Sequence, residues 1–289
     1  AMQSKLISEG EIREMLQFTS VSHAAAWLKR TPAYSKAWAD LDENSLHRGQ
    51  IEKLLKASIF ADFSKIYQFA NPEQRKFLDL YSRRYEIRVL KELMTNLFDH
   101  RDTDPVDVSP YREFFRRHSN LDLDRLTACT TMDEFITALK GNEFYAPLSS
   151  IQNHDTTLLF DYGMALDLYY FSMIWNVRRK LFSGKDLKQI TMAYGEKFDM
   201  LNLQFIFRSK QFFRMAPADI YALLIPMNYK LKKEEITAIV EASTYEETQQ
   251  IFRKTYYGRK YDHLSAHNLE EFYNYMLRTT LEKESRKDP

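Results

Sequence analysis

The sequence predicts an all-α protein assembled from repeated units, and three observations carry that prediction. Glycine and proline number only 7 and 8 among 289 residues, about 5% of the chain against a usual share of roughly 12%. Such scarcity leaves few of the tight turns that a fold of many short strands needs. The stretch YGEKFDMLNLQFIFRSK at 194–210 occurs a second time 113 positions earlier. There Tyr81, Tyr85, Glu86, Ile87, Leu90 and Leu93 answer to Tyr194, Phe198, Asp199, Met200, Leu203 and Ile206. This spacing gathers the apolar members on one side of a helix and leaves the polar ones to water. A second motif recurs three times at nearly the same period, which makes the repeat the main determinant of architecture.

In chain order, residues 2–18 read as a helix already under way, with Ile7, Ile12, Met15 and Leu16 among charges and no clear N-cap. The chain is therefore expected to extend further back, with Ala1 an addition. Ser20 then opens a helix of good formers. Its motif, Ser or Thr followed by polar or acidic residues, an aliphatic, a base and a tyrosine, returns at Thr131–Tyr145 and Thr244–Tyr257. In those two copies threonine precedes acids, which suits the positive end of a helix.

A third element follows the same order. His47 precedes a helix carrying Ile51, Leu54, Leu55 and Ile59; His154 precedes one with Leu158, Leu159, Leu166 and Leu168; His267 precedes one with Leu269, Phe272, Met276 and Leu277. Asn71-Pro72-Glu73-Gln74 and Ser183-Gly184-Lys185-Asp186 break the chain before the two copies of the long motif. Loops are expected at 99–110, 141–155 and 257–267, and the charged run 230–235 leads into a helix. The resulting units are 47–153 and 154–266, with 1–46 plus 267–289 a partial third. A third copy of the long motif falls due near position 307, beyond the last residue, so the third unit is incomplete.

Composition narrows the function classes. Lys plus Arg number 41 and Asp plus Glu 40, a net charge of +1, without the basic excess of a nucleic-acid binder. A single cysteine, Cys129, forms no intrachain disulfide and suits a reducing compartment. No apolar run approaches the roughly 18 residues of a membrane span, and no signal peptide opens the chain.

Several fragments resemble chemistry and fail on their neighbours. His100-Arg101-Asp102 and Asp161-Tyr162-Gly163 resemble kinase motifs, but Asp107 stands where the metal-binding Asn belongs, and no Gly-rich loop precedes them. Ser183-Gly184-Lys185 lacks the first glycine of a P-loop and reads as a turn. His154-Asp155 could be the metal dyad of an all-helical phosphohydrolase, yet His47 and His267 hold matching positions without that acid. Cys129 has no basic neighbour to activate it. Glu234-Glu235, Glu246-Glu247 and Glu270-Glu271 stand at helix starts, where acids meet the helix dipole. The stripe Tyr169-Tyr170-Phe171 with Trp175 reads as core. No catalytic, cofactor or metal residue is predicted.

The repeat carries a resemblance to a known family. Met2-Gln3-Ser4-Lys5-Leu6-Ile7, Thr31-Pro32-Ala33-Tyr34, the helices Tyr85-Glu86-Ile87-Arg88-Val89-Leu90-Lys91 and Phe198-Asp199-Met200-Leu201-Asn202-Leu203-Gln204, and Leu224-Ile225-Pro226 are together similar to the C subunit of the archaeal and bacterial V-type ATPases, the family of the eukaryotic d subunit. The family Asn, present as Asn202, is Val89 in the first copy, and the family Arg, present as Arg208, is Thr95 there. The resemblance implies three quasi-equivalent helical units in a funnel around a pseudo-threefold axis. It implies a non-catalytic central-stalk part of an ion-transporting rotary motor, cytoplasmic and peripheral to the membrane. Its partners would be the central shaft subunits on one side and the membrane rotor ring on the other, with no cofactor. A helical scaffold of another complex is the alternative to this rotor role.

Overall fold

A computed structural model describes residues 7–35, 38–99, 106–152 and 158–260. The chain divides into two compact units, Ala1–Tyr145 and Ala146–Pro289. Every regular element among the described residues is helical.

In the first unit, α1 (Glu9–Met15) and α2 (Val21–Arg30) precede two long helices, α3 (Arg48–Phe69) and α4 (Pro72–Asp99), separated by only Ala70 and Asn71. Short helices α5 (Ser109–His118), α6 (Leu123–Thr127) and α7 (Met132–Ala138) follow, and α8 (Tyr145–Ser149) begins at the last residue of this unit and lies mostly in the second. The second unit has the same order. Long helices α9 (Leu159–Leu181) and α10 (Gly184–Arg208) are separated by Phe182 and Ser183. A π-helical turn (Ser209–Phe213) extends α10, and α11 (Pro217–Leu223), α12 (Lys233–Glu241), α13 (Tyr245–Lys254) and α14 (Tyr256–Lys260) follow.

The helix starts are local chemistry. The three recurring caps all form: Ser20, Thr131 and Thr244 accept from the N–H groups of His23, Glu134 and Glu247 at 3.1, 3.2 and 3.1 Å, so each satisfies an otherwise orphaned donor. Asn71 caps α4 reciprocally with Gln74, at 2.9 and 3.0 Å. Gly184 takes φ +52 where α9 gives way to α10, a left-handed conformation that glycine adopts without a Cβ clash. Ser183-Gly184-Lys185, expected as a turn, is the N-terminal start of α10, with Ser183 at the N-cap position and Gly184 and Lys185 its first residues.

Three further expectations need correction. The helix expected over 2–18 covers only Glu9–Met15 among the described residues, which begin at Ile7. It starts at Glu9 behind Ser8, whose hydroxyl accepts from Glu11 N–H while the Glu11 carboxylate accepts from Ser8 N–H at 2.7 Å. This is a complete capping box in a segment read as uncapped. The expected connection 141–155 contains the short helix α8, and α14 takes up the described part, 257–260, of the connection expected at 257–267. Leu158 is the N-cap residue of α9 and 64% exposed, not part of that helix's apolar face.

Each unit has its own core. In the first, α3, α4 and α5 meet through rings: Phe60 lies 5.1, 5.0 and 4.9 Å from Tyr85, Tyr111 and Phe114, within the range of favourable aromatic pairs. A second cluster joins Ala25, Leu28, Trp38 and Ile51. In the second unit α10 is wrapped on two sides. Phe198 packs with Phe171 and Trp175 of α9, while Leu203, Ile206 and Phe207 pack with Ile239, Phe252 and Tyr257. Of the aromatic stripe of α9, Tyr170 is buried, and Phe171 and Trp175 are half-buried against the Phe198 cluster. Leu90 and Leu203, the matched leucines of the two long helices, are both fully buried.

Candidate functional site

The two long motif helices, α4 and α10, each bury an acid. The spacing of the motif leads one to expect that acid in water. Asp199 has no exposed surface and Glu86 is 1% exposed. A buried carboxylate must be matched by donors or it is strongly unfavourable.

On α10 the match is nearly complete. Asp199 Oδ1 accepts from Tyr229 N–H at 3.0 Å; Oδ2 accepts from Lys230 N–H at 2.6 Å, Leu231 N–H at 2.9 Å and the Tyr257 hydroxyl at 2.8 Å. One turn on, the Asn202 amide brackets Ile225, accepting from its N–H at 2.8 Å and donating to its carbonyl at 2.9 Å. One turn before, a Cβ on Gly195 would stand 2.5 Å from the Tyr229 ring, so only glycine allows this approach. Gly195, Asp199 and Asn202 are spaced i, i+4, i+7 and share one helix face. That face holds Ile225 and the run Tyr229–Leu231 of the segment that precedes α12.

Burial pushes the Asp199 carboxyl above the ordinary aspartate range, with the three backbone N–H groups and the Tyr257 hydroxyl pulling back. Burial first, and then the Asp199 charge, push the Tyr257 hydroxyl far upward. A carboxylate with this many donors and no exposed surface is a structural latch, unsuited to exchanging protons with a substrate.

The first unit holds its loop in a related way with different partners. Glu86 accepts from the Arg83 guanidinium at 3.0 and 3.1 Å. Arg83 in turn pairs with Glu143 at 2.6 Å. Burial raises the Glu86 carboxyl, opposed chiefly by Arg83. Ser82 and Val89, 113 residues before Gly195 and Asn202, are buried as well. Thirteen residues after each threonine cap a fully buried aromatic follows, Phe144 in one unit and Tyr257 in the other. The tyrosine hydroxyl serves an acid that has no arginine beside it. A cavity of about 380 Å³ opens next to Arg83, bounded also by Arg125, Lys140 and Glu143.

The fragments weighed as chemistry find other uses. Asp161 accepts from Leu158 N–H at 2.7 Å at the start of α9, and Tyr162 is buried in that helix. Asp107 pairs with Lys53 and accepts from Ser109 N–H at 2.8 Å. Burial and then Glu134 raise the Cys129 thiol, the opposite of activation. Glu235 and Glu247 accept from Lys232 N–H and Ser243 N–H at 2.8 and 2.7 Å, so they cap helices. His100, Arg101, Asp102, His154, Asp155, His267 and Glu270-Glu271 lie outside the described residues. Among the described residues no three His, Cys, Asp or Glu side chains are grouped to hold a metal, and no helix is long and apolar enough to cross a membrane.

Sequence reasoning found the helices and missed the latch residues Glu86, Asp199 and Asn202 as a group. The available signal was an acid recurring at one place inside an otherwise apolar period.

Comparison with known proteins matches residues 1–289 to the family described as ATP synthase (C/AC39) subunit. Over 190 residues the chain is 26% identical to the C subunit of the A-type ATP synthase of Methanosarcina mazei, a stretch covering 65% of this chain and 51% of that protein. The chain thus spans about half the length of the curated relative it matches. Asn202 and Ile225 of the Leu224-Ile225-Pro226 segment are hydrogen-bonded partners. The chain belongs to the ATP synthase (C/AC39) subunit family.

Proposed function

We propose that this chain is a non-catalytic central-stalk component of a V-type or A-type rotary ATPase, coupling the shaft of the soluble motor to the membrane rotor ring. Its three repeat units, 47–153, 154–266 and a partial third, would surround a pseudo-threefold axis, and the protein would lie on the cytoplasmic side, peripheral to the membrane. The role is transmission of torque for proton or sodium transport.

The observation that carries this reading is the buried acid latch found on both motif helices. A torque-bearing collar needs helices that do not slide against their loops. Asp199 and Asn202 tie α10 to the segment before α12 through five hydrogen bonds, and Tyr257 of α14 adds a sixth. Such a desolvated, satisfied network resists deformation, and close-packed cores around it transmit strain. Family membership supplies the complex in which that stiffness is useful.

The test is a pull-down of the full-length protein against purified shaft subunits and, separately, against the isolated membrane ring. Capture by both is expected. Capture by neither overturns the coupling role and leaves the scaffold alternative.

A further inference from the structure

The junction of α9 and α10 carries an unbalanced charge that the latch does not explain. Arg178, in the last turn of α9, is 6% exposed. Its guanidinium stacks over the Trp175 ring at 3.5 Å from the centroid. Its Nε donates to Thr191 Oγ1 at 3.2 Å and its Nη1 to the Trp175 carbonyl. All of these partners are neutral. Among the described residues no carboxylate pairs with it, and burial together with Arg179 pulls its pKa below the ordinary arginine value. Among the described residues the remaining nitrogen, Nη2, makes no hydrogen bond, and it does not count among the buried polar atoms left without a partner. A buried cation ordinarily has an acid beside it. Here the guanidinium is held flat and one edge is left open.

The surroundings amplify that charge. Arg179, Lys180 and Lys188 are all exposed at this end of the hairpin, and Asp186 is the exposed acid among them. The matching junction between α3 and α4 is arranged differently. Lys65 and Lys76 there pair with Asp62 and Glu73 at 3.1 and 2.8 Å, and Arg75 donates to backbone carbonyls of Tyr67 and Gln68. Two lysines at the α3–α4 junction are paired with acids, while Arg179, Lys180 and Lys188 are exposed at the α9–α10 junction.

We propose that the α9–α10 junction docks an acidic protein segment, one carboxylate of which accepts from the open edge of Arg178 while Arg179, Lys180 and Lys188 steer its approach. A fixed guanidinium fork suits carboxylate geometry better than a mobile lysine does. A bilayer is the less suitable occupant. Surface-binding helices add exposed apolar side chains to their cations, and the large apolar residues here, Leu181 and Phe182, are half-buried. The inference rests on charge and geometry alone and does not depend on the rotor role.

The test uses the full chain and a fluorescent hexaglutamate peptide, followed by anisotropy. Binding is expected at low salt and should weaken as salt is added. Arg178→Gln should lower affinity roughly tenfold or more, and the exposed pair Arg179→Ser with Lys188→Ser should lower it with a shallower salt dependence. Lys76→Gln, which removes one charge at the other junction, should leave it unchanged. Should Arg178→Gln fail to fold by circular dichroism, the exposed pair and Arg178→Lys decide. Equal peptide binding by wild type, the exposed pair and the Arg178 variant that folds overturns the proposal. So does binding of phosphatidylserine vesicles or inorganic phosphate in place of the peptide.

Discussion

At Asp199 a single carboxylate answers four donors, which fixes what its loss would do. In Asp199→Ala, Tyr229, Lys230 and Leu231 keep their N–H groups but lose the acceptor, and Tyr257 loses the partner of its hydroxyl. A buried donor left unmatched costs about 1–3 kcal/mol, and some of these would reach water through local relaxation. The expected destabilisation is roughly 3–5 kcal/mol, read from urea unfolding followed by circular dichroism. Tyr257→Phe removes one bond of the four and should cost about 1–2 kcal/mol. An Asp199→Ala variant as stable as wild type would falsify the latch.

Glu86 allows a test in pH. Its folded-state pKa lies above the ordinary value of 4.5, so the folded chain holds the proton more tightly than the unfolded one. The sign follows from linkage: stability falls with rising pH wherever the native state binds more protons. Wild type should therefore be most stable, relative to Glu86→Gln, below pH 4.5. That relative advantage should shrink as pH rises through the raised value and then level off. Urea midpoints of both proteins at a series of pH values measure it, and a gap that stays constant or widens with pH contradicts the burial argument.

At the scale of elements, the sequence announced most helix boundaries because capping is local chemistry. Ser20, Thr131 and Thr244 bond three residues ahead, and a reader of the sequence sees both partners together. Replacing Thr131 or Thr244 with alanine should each cost about 1 kcal/mol, measurable as a shift in unfolding midpoint. The capping box at Ser8 was equally local and was missed because Ile7 extends the apolar pattern backward across it. The latch was not legible for a different reason. Asp199 finds its donors 30 to 58 residues away, and periodicity carries no information about what a distant loop will present. Gly195 has the same character: nothing near it in sequence requires glycine, and the reason is the Tyr229 ring. Gly195→Ala should push that ring aside and cost about 1–3 kcal/mol. If the alanine variant equals wild type, the close approach to Tyr229 is not a constraint.

At the scale of the molecule, two units of like element order each enclose their own core and their own buried acid. They reach the same end by different chemistry, an arginine pair around Glu86 and backbone donors with a tyrosine around Asp199. The shared requirement is then a fixed helix-to-loop register rather than a particular residue. A stiff part of a rotary machine would need that register in every unit. The consequence can be measured by hydrogen exchange on the full chain. Asp199→Ala should release the amides of Tyr229, Lys230 and Leu231 and raise exchange through α10 and α12, because these lose their tie. Amides of α3, α4 and α5, whose core is built around Phe60, Phe63 and Phe114, should keep wild-type protection, since local opening follows cooperative units. Exchange rising equally in both sets would mean that the chain opens as a single block. Stiffness would then be a property of the whole chain, with the latches as minor parts of it.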